Sequence, residues 1–132
     1  MLSWSKYDFI ECLGVVPEEA EDGSFLFRVV RDGLRLDVTV FPHEGLVEPG
    51  GDIYIDLYRE GADEPLFFTK IQQSPAARYV KYPSGWECLE VAAPCRGVHF
   101  GAGWAVPMGA RVKVNPTVSV EMFQPPGDRH RI

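Results

Sequence analysis

The strongest pattern in the chain runs from Ser24 to Phe41, where apolar and polar side chains alternate on either side of Asp32-Gly33. A period of two is what a half-buried strand requires, and Asp-Gly supplies the two positive-φ positions of a type I′ turn. A two-residue loop fixes the register. It sets Val29 opposite Leu36, Phe27 opposite Val38 and Phe25 opposite Val40 on one face. On the other face it sets Arg28 opposite Asp37, an opposite-charge cross-strand pair. Turn chemistry, alternation and charge all predict the same hairpin.

A second hairpin is predicted near the C-terminus, where 110–114 and 118–122 flank Asn115-Pro116-Thr117. A three-residue loop there pairs Val114 with Val118, Val112 with Val120 and Arg111 with Glu121. Between the hairpins, Asp52 to Arg59 alternates with Ile53, Ile55 and Leu57 inward and Tyr54, Asp56 and Tyr58 outward. Leu66 to Gln72 is its natural partner across the turn that ends at Pro65. Tyr7 to Val15 and Trp86 to Ala92 read as further strands with poorer alternation. The one short helical turn expected lies at Ser74-Pro75-Ala76-Ala77, where Ser could cap and Pro could open it. About eight short strands and at most one short helix predict an all-β, antiparallel β-sandwich, with barrel or jelly-roll-like closure left open.

Composition adds bounds to this picture. The 132 residues, 45% hydrophobic, fit one β domain spanning 1–132 that can bury a core without a disulfide or metal. The 13 glycines and 11 prolines suit a chain that turns often. The N-terminus lacks a basic patch followed by an apolar run, and no apolar stretch approaches the roughly 18 residues of a membrane span. Cys12, Cys88 and Cys95 are odd in number and lack metal-site spacing, so reduced thiols and a cytoplasmic location are expected.

Charge is where the chain is unusual. The net charge of −6 weighs against general nucleic-acid binding. Residues 1–64 hold 15 acids and 5 bases, and residues 65–132 hold 4 acids and 8 bases, balances of −10 and +4. A sandwich that interleaves the two halves would blur this split. One that keeps them apart would present an acidic face able to steer a basic partner.

Few motifs carry chemistry. Cys95 and His99 would share a face of a strand, but i and i+4 on a strand lie roughly 13 Å apart, so only a turn through Gly97 would join them. The histidines His43, His99 and His130 are scattered, and Asp52 and Asp56 lack the loop pattern of a calcium site. No metal and no cofactor is expected. The glycine-rich run 97–109 lacks both the dinucleotide fingerprint and a Gly-Lys-Ser/Thr ending. Arg78-Tyr79-Val80-Lys81-Tyr82 interleaves bases and aromatics, a composition favoured at interfaces and in single-strand binders.

With no Ser/His/Asp order or paired-carboxylate pattern, the first expectation is a non-enzymatic, inhibitor- or immunity-like module presenting an acidic face to a protein partner. Its binding residues would include Arg78, Tyr79, Lys81, Tyr82, Trp86 and Trp104. The first alternative is a binder of a small ligand or carbohydrate, with Trp86, Trp104, Tyr79 and Tyr82 as platforms. The second is a Cys/His enzyme built on Cys95 and His99. Edge strands and the charge split are also compatible with a homodimer.

Overall fold

The computed structural model describes residues 2–42, 50–93 and 109–123. Two antiparallel sheets form the sandwich, and each is built from consecutive strands. The first holds β1 (Glu18–Glu19), β2 (Phe25–Arg31), β3 (Leu34–Phe41), β4 (Gly51–Arg59) and β5 (Pro65–Ser74), in that spatial order. The second holds β6 (Ala77–Lys81), β7 (Glu87–Ala92), β8 (Gly109–Lys113) and β9 (Ser119–Phe123), again in order. The halves of the chain are therefore not interleaved.

The hairpin read from Asp32-Gly33 forms with the expected register, pairing Val29 with Leu36, Phe27 with Val38, Phe25 with Val40 and Arg28 with Asp37. Both turn residues take positive φ, 54° and 77°. The Arg28 guanidinium donates to the Asp37 carboxylate through Nε at 2.8 Å and Nη2 at 3.1 Å. β4 alternates as expected, with Ile53 and Ile55 fully buried. The β8–β9 hairpin also has the expected register, with Val112 opposite Val120 and Arg111 opposite Glu121, around a cis Asn115–Pro116 bond.

Two expectations are corrected. Tyr7 to Val15 is not a strand, because Lys6–Leu13 forms the helix α1. The Ser5 side chain accepts from the Asp8 N–H at 3.4 Å, and Gly14 ends the helix in the left-handed conformation. Phe9, Cys12 and Leu13 make the buried stripe. Eight residues are too few to stand alone in water, so packing decides. Burying a Phe or Leu stabilises by about 1.5–3 kcal/mol each, and that outweighs the weak strand signal. Conversely, Ser74-Pro75-Ala76-Ala77 is not helical. Ser74 ends β5 and Ala77 begins β6, and the buried Ser74 hydroxyl lies 2.6 Å from the Ala92 carbonyl and 3.2 Å from that of Ala76. The hydroxyl thus joins the two sheets instead of capping a helix.

The core lies between the sheets. Phe27, Leu36, Val38 and Ile55 of the first meet Leu89, Val91, Ala110 and Val112 of the second. α1 packs against β2, β6 and β7, closing one open side of the sandwich. Trp4 seals that joint, with ring centroids 5.1 Å from Phe9 and 5.2 Å from Phe25. At the β7–β8 pair, Gly109 takes φ +152° where an added methyl would run into the Val91 carbonyl. Among the described residues no helix is long and apolar enough to cross a membrane.

Candidate functional site

Strand alternation divides the basic–aromatic strip of 78–82 between two faces. Arg78 faces outward with Tyr82, whereas Tyr79 turns back and packs against the core. Tyr79 donates to Glu87, and burial first, then this bond, raises its pKa. Lys81 stands with it, 5.3 Å from the Tyr79 ring centroid and 3.6 Å from a Glu11 carboxylate oxygen on α1. Trp86 joins Arg78 and Tyr82 on the outer side of the second sheet. Trp104, Cys95, His99, His43 and His130 lie outside the described residues.

The outer side of the second sheet is organised by a residue that sequence reasoning missed. Glu90 on β7 points away from the core, yet its side chain is only 5% exposed. One carboxylate oxygen accepts from Arg78 Nε at 3.1 Å and Nη2 at 2.9 Å. The other accepts from Arg111 Nε at 3.0 Å and the Tyr82 hydroxyl at 2.9 Å. Burial pushes this carboxyl up, but the bonds from Arg111, Arg78 and Tyr82 outweigh it and hold the pKa below the ordinary value. Tyr82 is half-buried and donates to Glu90, and desolvation first and then this bond raise it to about 12. The available signal was an acid within the otherwise apolar 88–92 run.

This network changes the meaning of the basic half of the chain. Arg78 and Arg111 are committed to Glu90, and Arg111 also lies 3.6 Å from Glu121. Trp86 stacks on Tyr82 at 4.0 Å between centroids, and the Lys113 ammonium sits 4.4 Å over the Trp86 ring. A cleft of about 500 Å³ opens beside Trp86, lined also by Ser84, Gly85, Glu87, Asn115 and Pro116.

The acids collect elsewhere, along the side closed by α1. Asp8 and Glu11 lie on α1, Glu18 and Glu19 on β1, and Glu21 and Asp22 on the following turn. Lys6 bridges α1 to β1, its ammonium 3.6 Å from Glu19. Asp22 accepts from the Ser24 N–H at 2.9 Å and hydroxyl at 2.6 Å, which lowers its pKa and keeps it charged. Lys6 and Lys81 stand against Glu19 and Glu11, and Glu18, on the outer side of the first sheet, lies near Arg28. Tyr7 on α1 and Val16, ahead of β1, are 73% and 78% exposed. A groove of about 280 Å³ lies between the end of α1 and the end of β2, lined by Leu13, Val15, Val29 and Val30 with Glu11 and Arg31, the acid and the base together. The rest of the outer face of the first sheet mixes both signs, with Arg28, Arg35 and Lys70 among Asp37, Asp52 and Asp56.

The thiols described are buried and unreactive in character. Burial above all, with Glu87, Cys88 and Glu11 nearby, pushes Cys12 up to about 12; burial and then Glu90 raise Cys88. Among the described residues no group of three His, Cys, Asp or Glu is placed to hold a metal ion.

A two-sheet antiparallel sandwich with a helix across one side and an acid-rich edge is the class this chain belongs to by structure. No family model matches it, and no curated protein sequence matches it significantly. Among solved structures it is similar to a chain of a contact-dependent growth inhibition toxin–immunity protein complex from Klebsiella pneumoniae 342. The TM-score is 0.67 at 12% identity, and the match covers 92% of this chain and 95% of that one. At that identity the likeness concerns the fold.

Proposed function

We propose that this chain is a single-domain, non-enzymatic protein-interaction module of inhibitor or immunity type, acting in the cytoplasm on a basic protein partner. The observation that carries the reading is the acid-rich α1–β1 segment, where Asp8, Glu11, Glu18, Glu19, Glu21 and Asp22 follow closely along the chain and Tyr7 and Val16 are exposed. Acidic charge of this kind steers an oppositely charged partner, while an exposed aromatic such as Tyr7 provides a central contact that holds it. The fold shared with a chain of a toxin–immunity complex supports the same reading.

The test is the association rate of the captured partner at rising ionic strength. The rate is expected to fall roughly tenfold or more between low and physiological salt. Replacing Glu18, Glu19 and Glu21 by Gln and Asp22 by Asn should slow association similarly while changing dissociation little. A rate indifferent to both salt and these substitutions would show that the edge does not steer binding.

The cleft beside Trp86 supports a second reading, a small-ligand or carbohydrate binder. It ranks lower because Tyr82 already stacks on Trp86 and Lys113 lies over the same ring, so a sugar would have to displace one of them.

A further inference from the structure

The first sheet has two edges of opposite character. β1 ends it on one side with two residues, both glutamate, a short and charged edge of the kind that resists further pairing. β5 ends it on the other with ten residues, and among the described residues no strand pairs with its outer side. From Leu66 to Ser74 this strand has no proline and one charge, Lys70. Leu66 and Phe68 are 55% and 61% exposed. Pro65 has no N–H to offer and Gln73 takes φ 59°, so the stretch able to pair regularly is Leu66 to Gln72.

We propose that β5 pairs antiparallel with β5 of a second copy of this chain, about a two-fold axis perpendicular to the sheet and through Thr69. The sequence selects this register. A continuous sheet requires inward residues opposite inward ones, so the axis must pass through a residue pair. Centring on Lys70 sets two ammonium groups opposite each other, which is destabilising. Centring on Phe68 sets Ile71 opposite Pro65, which lacks an N–H, and leaves Gln72 with no strand opposite. Centring on Thr69 pairs Phe67 with Ile71 on the inner face and Phe68 with Lys70 on the outer, with no like charges opposed. Lys70 already lies 5.0 Å from the Tyr54 ring centroid, so the partner's Phe68 would extend an existing cation–aromatic contact. The strand order puts α1 and β1 at the far side of each copy, so the pairing leaves the acidic edges uncovered.

Sedimentation equilibrium on the full chain tests this. The mass should rise with concentration from 14.8 kDa toward twice that value across the micromolar range. Phe68→Lys, at an exposed site that leaves the fold intact by circular dichroism, places like charges opposite at two symmetric positions. It should weaken the dimer roughly tenfold or more. Adding Lys70→Glu to it makes both pairs opposite in charge and should restore association. A wild-type chain that stays at 14.8 kDa at the highest concentrations would overturn the proposal. So would a double variant no more dimeric than Phe68→Lys alone.

Discussion

At the scale of single residues, Glu90 is the group on which most depends. It neutralises two guanidinium groups that would otherwise face each other on the outer side of the second sheet. Such a network is weak evidence of net stability, since desolvating its charges offsets much of their attraction. Removing the carboxylate is another matter, because both guanidinium groups lose the charge they share. Arg78 and Arg111 keep access to water, with side chains 35% and 28% exposed, which places the loss at the lower end of the range. Glu90→Gln is therefore expected to destabilise the fold by about 2–3 kcal/mol in urea denaturation at neutral pH. The sign with pH follows from the depressed folded pKa. The stabilisation is complete above the ordinary glutamate value of about 4.3 and is lost as pH falls through the lower folded value. Wild type should lose stability over that window more steeply than Glu90→Gln; parallel curves would show the carboxylate is not held this way.

At the scale of elements, pairing creates one conflict that the sequence does not relieve. β3 and β4 set Asp37 directly opposite Asp56 on the outer face of the first sheet. Arg28 and Arg35 attend to Asp37, and Asp56 is left with a raised pKa, from burial first and from Asp37 second, opposed by Lys70. A carboxyl raised in the folded state is a liability wherever it must ionise. Asp56→Asn should therefore stabilise the protein by roughly 0.5–1 kcal/mol at pH 7. The gain should vanish by about pH 3, where both states protonate the wild-type carboxyl. Denaturation at the two pH values checks both the size and the sign.

Legibility at this scale divides by how local the signal is. The β2–β3 register could be read because Asp32-Gly33 specifies the turn and the turn specifies every pair that follows. Helix α1 could not be told from a strand by its apolar positions, since eight residues give barely two turns; its signals were the caps, Ser5 and Gly14. Ser74-Pro75 carried a capping signal that tertiary context used differently, to tie β5 to β7. Arg78, Tyr82 and Trp86 do assemble, but Tyr79 and Lys81 fall on the other face, because a strand separates neighbours that composition groups together. The Glu90 network needed three strands or turns in place before its partners met, and no spacing along the chain encodes that.

At the scale of the whole molecule, the charge split survives folding because each sheet is made of consecutive strands. It survives as an edge and not as a face. The outer side of the first sheet mixes both signs, and the acids gather where α1 and β1 close the sandwich. In the second sheet Arg78 and Arg111 are both paired with Glu90, and Arg111 also lies by Glu121. The molecule therefore offers an acid-rich α1–β1 side and, at the opposite edge of the same sheet, a β5 strand whose outer side no strand among the described residues pairs. The central claim is that a basic protein occupies the acidic side. Native mass spectrometry of untagged protein, purified at low salt from its own host, tests it most directly. The account predicts a stoichiometric second protein of basic pI, released as salt is raised; a bound small molecule, or only whole multiples of the 14.8 kDa chain, would contradict it.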